Sequence, residues 1–346
     1  MVAFAGWLLP VQYRDGIIAE HRHCRTAAAL FDISHMGQVM VHGAGAAEAF
    51  EALVPANLVG LADGRSRYTM FTNDAGGVLD DLIVGRVADG LSVVVNAACR
   101  AADLAHMRAA LEPAHRVEEL TDRALLALQG PGAAAVMARL APSSTDLAFM
   151  AMSEVQVAGE PCRIARCGYT GEDGFEISVP ADRAEALARR LLDQDEVEAA
   201  GLGARDSLRL EAALCLYGHE LTPEITPVEA RLGWTIAKRR REQGGFPGAE
   251  VIQRQLADGP SRQLVGIRPE GRAPAREHTA ILDAAGRRVG EVTSGGFGPT
   301  IGAPIAMAYV ESAHAVPGTE VQLVIRDKPQ PARIVELPFV PHRYQR

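Results

Sequence analysis

The spacing of apolar residues along the chain changes repeatedly between a helical and a strand period. The helical period, with apolar residues at i, i+3, i+4, i+7 and i+8, is clearest over 181–193, and the same period predicts helices over 46–54 and 101–111. Runs bounded by Gly, Pro or Asp predict strands over 78–84, 91–97, 124–129, 153–158, 161–167 and 175–179. Because helices and strands are mixed without the strict alternation of a doubly wound parallel sheet, the pattern predicts an α+β fold.

The pattern changes near position 264. From there onward, short apolar runs are separated by turn residues, and this spacing predicts a small β-barrel or sandwich as a separate C-terminal domain. The stretch 238–248, rich in charged residues and glycine, is interpreted as the connector that precedes this domain. Residues 161–179 predict a hairpin that turns around 171–174.

The composition is that of a folded globular protein and argues against several classes of function. The 346 residues, of which 48% are hydrophobic, are enough for two or three domains with their own cores. With 35 basic against 43 acidic side chains, the net charge of −8 argues against nucleic acid as a main partner. No stretch has the apolar length of a transmembrane helix or the basic start of a secretory signal, so we expect no membrane partner.

The five cysteines are few, scattered and odd in number, which is typical of reduced thiols rather than of a disulfide framework. We therefore expect a cytoplasmic protein. Cys162 and Cys167 lack a second Cys or His pair at the spacing of a zinc site. On a helix, His21 and His23 would point about 200° apart, unlike an i, i+4 metal-binding pair. We expect no bound metal.

Two adjacent acidic residues stand inside the apolar strand predicted over 78–84. Because side chains alternate between the faces of a strand, Asp81 shares one face with Leu79 and Ile83, and Asp80 shares the other with Val78, Leu82 and Val84. One of the two aspartates must therefore lie on a largely apolar face. A carboxylate on an apolar face must be paired or used, since an unpaired buried charge is costly. Two interpretations stay open: an edge strand whose Asp caps a neighbouring loop, or a catalytic carboxylate.

A Gly-rich turn within 166–176 presents Tyr169, Glu172 and Glu176. In the strand that follows, Glu176 falls on the face opposite Phe175. A carboxylate near an aromatic ring suits a flat heterocycle, because the carboxylate accepts hydrogen bonds from the edge of the heterocycle while the ring packs on its face. The alternative is a solvent-facing strand that carries acidic side chains.

A second Gly-rich segment, 201–212, leads into a predicted helix with Arg205 and Arg209 one turn apart. It lacks the third glycine of a dinucleotide-binding motif and the Gly-Lys-Ser/Thr of a phosphate-binding loop. Two arginines at i, i+4 repel each other unless acidic partners or an anionic ligand neutralise them. Asp206 and Glu211 are candidate partners, and both interpretations stay open.

A series of short runs extends in order from position 1 to 344: MVAFAGWLLPVQY, FDISHMG, YTMFTNDAGGVLDDLIV, VVNA, ALQGP, RCGYTGEDGFEISVP, GLGARDSLRLEAALCLYG, TPVEARLGWTIAKRR, FPGAEVI, VTSGGFGPT and LPFVPHRY. This ordered combination resembles the aminomethyltransferase (T-protein) family of the glycine cleavage system. The resemblance implies a three-domain cloverleaf, with ferredoxin-like α+β elements and a C-terminal β-barrel domain around a central folate site. The domains it implies are a discontinuous first α+β domain of 1–40 and 120–235, a second α+β domain of 41–119 joined by 236–263, and a barrel domain of 264–346.

The resemblance also implies an activity. A methylene group would pass from an aminomethyl arm on the dihydrolipoyl group of the H-protein to tetrahydrofolate, and ammonia and 5,10-methylenetetrahydrofolate would leave. Tetrahydrofolate would be the acceptor substrate, with no metal. The partners would be the lipoylated H-protein and, functionally, the other glycine cleavage components.

Individual residues match functional positions of the family. Asp81 matches the catalytic aspartate, whose expected role is to position and activate the folate nitrogen and to stabilise positive charge on the iminium-like carbon. Glu176 and Arg205 match pterin-binding positions. The residues that match the lining of the same cavity are Tyr68, Asn96, Tyr169, Tyr344, Met36 and Trp234.

The chain departs from the family pattern at its start. The family usually has a leader before the MVAFAGW run, so we expect the start to be trimmed or misassigned, and Ala3 stands where Asp is frequent. Two other functions within the superfamily stay open: a folate-dependent demethylase of a small methylated amine or sulfonium compound, and a non-catalytic folate-binding protein of iron–sulfur cluster maintenance. The latter usually carries a Lys-Gly-Cys signature, which is absent from this sequence.

Overall fold

The computed structural model describes residues 1–345, which form two compact units. The first unit contains Met1–Met70, Asp80–Arg205 and the described residues from Arg343 onward. The second contains Phe71–Leu79 and Asp206–His342. Each unit is thus assembled from separate stretches of the chain.

The chain order mixes strands and helices throughout the described residues. The strands are β1 (Val2–Phe4), β2 (Trp7–Leu9), β3 (Ala28–Asp32), β4 (Gly37–His42), β5 (Ser66–Thr72), β6 (Val78–Val87), β7 (Gly90–Val95), β8 (Val117–Glu119), β9 (Arg123–Gln129), β10 (Met152–Val157), β11 (Glu160–Ala165), β12 (Gly174–Pro180), β13 (Val197–Ala199), β14 (Arg262–Pro269), β15 (Ala280–Leu282), β16 (Arg288–Gly298), β17 (Ala303–Glu311), β18 (Glu320–Ile325) and β19 (Lys328–Val335). The α-helices are α1 (Ile17–Thr26), α2 (Ala46–Glu51), α3 (Arg100–Leu111), α4 (Ala133–Leu140), α5 (Ala184–Leu192), α6 (Leu202–Glu211), α7 (Lys238–Gln243) and α8 (Ala249–Asp258). Short 3-10 turns cover Pro142–Ser144, Ala181–Arg183, Gly233–Thr235 and Ser312–His314.

A six-stranded sheet with the order β10-β11-β12-β9-β3-β13 lies in the first unit. The pairs from β10 to β3 are antiparallel, whereas β13 runs parallel to β3. Leu128 and Phe175 from this sheet are fully buried with Met137 of α4 and Leu187 of α5. Burial of these apolar side chains is the main stabilising contribution to this part of the unit.

A five-stranded sheet has the order β5-β6-β7-β4-β8. Helix α2 lies against β7 and helix α3 against β8. Strand β6 has a neighbour on each side, so the edge-strand interpretation of 78–84 is wrong. Its buried face therefore has to accommodate Asp80 inside the sheet.

A closed barrel of strands β14-β17-β16-β15-β18-β19 forms the larger part of the second unit. Antiparallel pairing of β14 with β19 closes it, so every strand is paired on both sides. Its interior is filled by apolar side chains, among them Ile267, Val292, Leu323 and Ile334. The predicted C-terminal barrel is confirmed.

The stretch 238–248, interpreted as a connector, is not a simple linker. Its first part is helix α7, in which Arg240 is buried with its guanidinium 5.2 Å from the ring centroid of Phe246. Phe246 packs with Ile236 and Ile252 in a small apolar cluster. The guanidinium stacks on an aromatic face, a contact that charge patterning along the sequence does not indicate.

The remaining predicted elements agree with the structure apart from their ends. The helix predicted over 101–111 is α3, and the helix predicted over 181–193 begins as a 3-10 turn before α5. The predicted hairpin is the antiparallel pair β11 and β12. The α+β class is confirmed, and no helix within residues 1–345 is long and apolar enough to cross a membrane.

Candidate active site

Strand β6 places its two aspartates in different environments. Asp80 is fully buried on the face that carries Val78 and Leu82, whereas Asp81 is half-buried on the opposite face. The alternation predicted from the sequence is therefore confirmed. The aspartate on the dry face is Asp80, and it is paired rather than stranded.

Asn96, at the end of β7, links the two carboxylates. Its backbone N–H donates to Asp80 Oδ2 at 3.1 Å, and its side-chain Nδ2 donates to Asp80 Oδ1 at 2.9 Å. The same Nδ2 lies 2.9 Å from Asp81 Oδ1 and 3.1 Å from the Asp81 carbonyl oxygen. One amide thus fixes the relative orientation of the two acids.

Tyr68 on β5 holds the second oxygen of Asp81. Its hydroxyl donates to Asp81 Oδ2 at 3.0 Å. Burial, reinforced by the nearby charge of Asp80, raises the pKa of Asp81 to about 7, and the hydrogen bonds from Tyr68 and Asn96 act in the opposite direction. Asp81 is therefore a positioned carboxyl group that gains and loses a proton near neutral pH, as expected of a group used in proton transfer or charge stabilisation.

A second group of side chains joins β12 to the start of α6. The Arg205 guanidinium carbon lies 4.8 Å from the ring centroid of Tyr169, and Glu176 is close enough to interact electrostatically with Arg205. Burial raises the pKa of Glu176, and the charge of Arg205 opposes that shift. Glu176 is half-buried and Ser178, on the same face of β12, is buried, so the solvent-facing interpretation of this strand is wrong.

One nitrogen in this group is ready to bind a ligand. Nη1 of Arg205 is buried and has no hydrogen-bond partner among residues 1–345. A buried guanidinium nitrogen without a partner is costly, and an acceptor on a bound molecule would satisfy it. Arg209, one turn further on, is different: it is buried and pairs with Asp206 and Glu220, so acidic partners do neutralise this second arginine.

The loop between β11 and β12, which carries Tyr169, is held by hydrogen bonds to the side chain of Gln129. The amide of this fully buried residue donates to the Cys167 carbonyl at 2.9 Å and accepts from the Thr170 hydroxyl at 2.8 Å. A Cβ on Gly168 would lie 1.8 Å from Gln129 Oε1, so a side chain there would displace the Gln129 amide from its hydrogen bonds. The glycine in the Cys-Gly-Tyr run is thus required by close packing under the loop.

The C-terminal segment is fastened to the first unit. Glu172 Oε1 accepts from Arg25 at 2.8 Å and from Arg343 Nε at 3.1 Å, and the Arg343 backbone N–H donates to the Gly171 carbonyl at 2.8 Å. The next residue, Tyr344, stacks on Phe149 with ring centroids 4.2 Å apart. Tyr344 is therefore held by the same loop region that carries Tyr169.

Two further residues, Met36 and Trp234, were predicted to line the cavity. Met36 is half-buried just before β4, where its N–H donates to the Ile33 carbonyl. Trp234 lies in the 3-10 turn Gly233–Thr235 of the second unit and is 68% exposed. Their part in the site stays a prediction.

Sequence reasoning missed His35, a buried residue beside the second group. Its Nδ1 has no hydrogen-bond partner within the described part of the chain, and its ring makes an edge contact with Phe4 at 5.5 Å. Burial and the charge of Arg205 lower the pKa of His35 to about 4, so the ring stays neutral. The sequence signal for His35 was its place in the FDISHMG run.

Among the described residues, no group of three or more His, Cys, Asp or Glu side chains is arranged to hold a metal ion. All five cysteines are buried, and none forms a disulfide bond.

Comparison with known proteins covers nearly the whole chain. The GCVT N-terminal domain family matches residues 1–240, and the glycine cleavage T-protein C-terminal barrel domain family matches 262–341. The chain belongs to the glycine cleavage T-protein family. The resemblance that the sequence runs carry is therefore confirmed, and so is the barrel as a family feature.

Relatives in this family share the full length of the chain. An aminomethyltransferase of Dictyostelium discoideum is 45% identical over 364 residues, which cover 100% of this chain and 90% of the relative. A human aminomethyltransferase is 47% identical over 352 residues, which cover 99% and 87%. The crystal structure of the glycine cleavage system aminomethyltransferase T from Bartonella henselae has a TM-score of 0.94 and 45% identity, covering 100% of this chain and 95% of that chain. These relatives confirm the predicted enzyme class, a transferase of the glycine cleavage system.

Proposed function

We propose that this chain transfers a methylene group from the aminomethyl-dihydrolipoyl arm of H-protein to tetrahydrofolate, releasing ammonia and 5,10-methylenetetrahydrofolate. The full-length similarity to proteins named aminomethyltransferases supports this reaction. The observation that carries it at the level of the site is Asp81, a half-buried carboxyl group held by Tyr68 and Asn96. Its pKa of about 7 suits a group that interacts with a developing positive charge.

Tetrahydrofolate fits the second group as acceptor substrate. Glu176 would accept hydrogen bonds from the donor edge of the pterin, and the unpaired Nη1 of Arg205 would donate to its acceptors. The Tyr169 ring, already stacked under Arg205, offers an apolar face to a flat heterocycle. Tyr344 would line the same cavity from the C-terminal segment.

Asp81 would act on the reacting atoms. In its ionised form, the carboxylate orients the folate nitrogen that attacks and stabilises the positive charge that develops on the one-carbon unit as ammonia leaves. Asn96 and Tyr68 keep both carboxylate oxygens in place, so little reorganisation is needed at the moment of reaction. The dihydrolipoyl arm remains on the H-protein after the transfer.

We also propose the methylene donor, the partner proteins and the cellular location. The lipoylated H-protein is the proposed partner, and the other glycine cleavage components act with it functionally. The few, scattered cysteines, odd in number, support the proposed cytoplasmic location, since that compartment keeps thiols reduced.

The first experiment is turnover of the purified protein with tetrahydrofolate and aminomethylated lipoyl H-protein, with ammonia and methylenetetrahydrofolate followed together. Equal amounts of both products are expected. Folate binding without either product would contradict the donor and favour a small methylated amine or sulfonium compound. Absence of folate binding would contradict the acceptor as well.

A further inference from the structure

A third carboxyl group lies behind the two aspartates of β6. Asp103, in the first turn of α3, is 3% exposed and lies on the same side of the helix as the buried Met107. A lone charged residue on the packing face of a helix would be destabilising unless it is neutral or paired.

The partner of Asp103 is another acid. Its carboxyl group is hydrogen-bonded to Asp80, which is itself fully buried. Oδ2 of Asp103 has no N–H or hydroxyl partner in residues 1–345. Two buried carboxyl groups at hydrogen-bonding distance do not both ionise, so this pair holds a proton between them.

Asp80 is the acceptor of the pair. It already accepts two hydrogen bonds from Asn96 and one from the Cys99 thiol. Burial, the hydrogen bond to Asp80 and the nearby charges of Asp80 and Asp81 raise the pKa of Asp103 to about 9, so Asp103 carries the proton of the pair near neutral pH. A continuous series of hydrogen bonds then runs from Asp103 through Asp80 and Asn96 to Asp81.

We propose that Asp103 is a positioning residue for Asp81: its protonated carboxyl group donates to Asp80, and the resulting pair holds Asn96 in the orientation in which its amide donates to Asp81. The proposal deepens the proposed function, on which it rests for the role of Asp81. Asp103 itself does not touch the substrate in this scheme. Its effect on the reaction passes through Asp80 and Asn96.

The electrostatics of the surrounding groups agree with this geometry. Burial raises the pKa of Asp103, and the neighbouring Asp80 and Asp81 raise it further. Arg100, at the start of α3, is paired with Glu119. The Cys99 thiol, just before α3, interacts with both Asp80 and Asp103, and burial raises its pKa.

Two substitutions of Asp103 separate the effect of its hydrogen bond to Asp80 from the effect of its side-chain volume. Asp103→Asn keeps the shape and an N–H donor for Asp80, and we expect it to retain turnover within about threefold of the native enzyme. Asp103→Leu removes the donor, and we expect kcat to fall at least about tenfold while the KM for tetrahydrofolate changes little. Because Asp80 then carries a less compensated charge, the acidic limb of the kcat–pH profile should move to higher pH in Asp103→Leu. Asp182→Asn, at an exposed position, is the control and should change neither.

A second measurement tests, without an activity assay, whether the Asp80–Asp103 pair holds a proton. An acid whose pKa is raised in the folded state binds a proton that unfolding releases, so native stability falls as pH rises between its unfolded and folded pKa values. Relative to Asp103→Asn, the native protein should therefore lose stability with pH, with the unfolding equilibrium constant rising about tenfold per pH unit in this window. Urea unfolding from about pH 4.5 to 7.5 measures it.

The possible outcomes separate the shared proton, the positioning role of Asp103 and the proposed function from one another. A flat stability difference between the native protein and Asp103→Asn would overturn the shared proton, even if the transfer reaction were absent. Equal kcat losses in Asp103→Asn and Asp103→Leu, or an unmoved acidic limb, would overturn the positioning role. If the native protein has no transferase activity but the stability difference depends on pH as expected, the proposed function fails and the proton pair stands.

Should Asp103→Leu not fold, Asp80→Asn replaces it, and that variant should move the acidic limb to lower pH because it removes the charge beside Asp81.

Discussion

Asp80 and Asp81 are neighbours in sequence with opposite tasks. The pleat of β6 turns Asp80 into a dry environment, where the hydrogen bonds of Asn96 compensate its charge. Asp81 emerges on the other face, where its carboxyl group is within reach of solvent and of Tyr68. The buried charge next to it is one reason why Asp81 keeps a proton up to neutral pH.

At this scale, Asp81→Asn is predicted to lower turnover by on the order of 10²-fold or more, with folate affinity changed by no more than a few fold. Because the pKa of Asp81 is about 7 and the ionised form is the active one, native kcat should rise with pH and reach half its plateau near pH 7. A kcat–pH profile from about pH 5.5 to 8.5 measures this limb. Near-normal turnover of Asp81→Asn would remove Asp81 from its role.

Asp81→Asn, which should lower turnover, should at the same time stabilise the folded protein at high pH. A raised carboxyl pKa means that the folded protein binds a proton that the unfolded chain does not, so the stability contributed by Asp81 is present below its unfolded pKa and lost as pH rises through about 7. Asp81→Asn should thus raise Tm by a few degrees at about pH 8, with no gain at about pH 4. Asp74→Asn, in an exposed turn, is the control in thermal melts.

Arg205 makes a separate prediction about binding. Arg205→Ala should weaken tetrahydrofolate binding by about 2–4 kcal/mol, because a buried ligand acceptor would lose its charged donor. Calorimetric titration measures the change. Arg183→Ala, an arginine with a 58% exposed side chain, should bind folate like the native protein. An unchanged titration of Arg205→Ala would rule out this contact.

At the scale of elements, the β11–β12 loop and the C-terminal segment support each other. Gln129 holds the loop from β9, and Glu172 in the loop binds both Arg25 and Arg343. The loop presents Tyr169 and the segment presents Tyr344. Two of the proposed cavity residues therefore depend on one buried carboxylate.

Glu172→Gln tests this dependence. Glu172 is 1% exposed and Arg25 is 5% exposed, so loss of the carboxylate leaves a buried guanidinium without its counter-charge and should lower stability by about 3–5 kcal/mol. The C-terminal residues should also become sensitive to limited proteolysis. Glu185→Gln breaks a pair with Arg189 that is 74% and 80% exposed, and it should change stability by less than about 0.5 kcal/mol. Equal stability of the two variants would argue against the anchor.

At the scale of the whole molecule, each of the two units has its own apolar core. The sheet core with Phe175 belongs to the first unit, and the barrel core with Leu323 to the second. The residues proposed for chemistry and folate binding lie in the first unit, apart from Trp234. The barrel has an apolar core of its own and contains none of these site residues.

Leu323→Ala should lower the stability of the barrel by about 2–5 kcal/mol, because it leaves a cavity in a fully buried core. Urea unfolding followed by circular dichroism measures the loss. Val316→Ala, at a position 63% exposed, should change the free energy of unfolding by less than about 0.5 kcal/mol. A loss as small as that of Val316→Ala would show that Leu323 does not pack as described.

The sequence by itself determined the elements and pointed to the candidate site residues. The pleat of β6, helix α3, the barrel strands and the family runs around Asp81, Glu176 and Arg205 are all local patterns, because side-chain period and turn chemistry depend on near neighbours. For the same reason, it was predictable that Asp80 and Asp81 lie on opposite faces of β6, whereas the structure decided that the buried one is Asp80. The fold class followed from the mixture of these local patterns.

The tertiary structure alone decided which distant side chains meet. Glu172 and Arg343 are 171 positions apart, and Asp103 reaches Asp80 only because α3 packs behind the sheet that contains β6. From the sequence alone, the charged residues of 238–248 give no sign that Arg240 is buried against Phe246, and strand β6 gives no sign that it has a neighbour on each side. Such contacts depend on chain closure over long separations, where burial and pairing free energies of the whole fold, rather than local preference, select the partner.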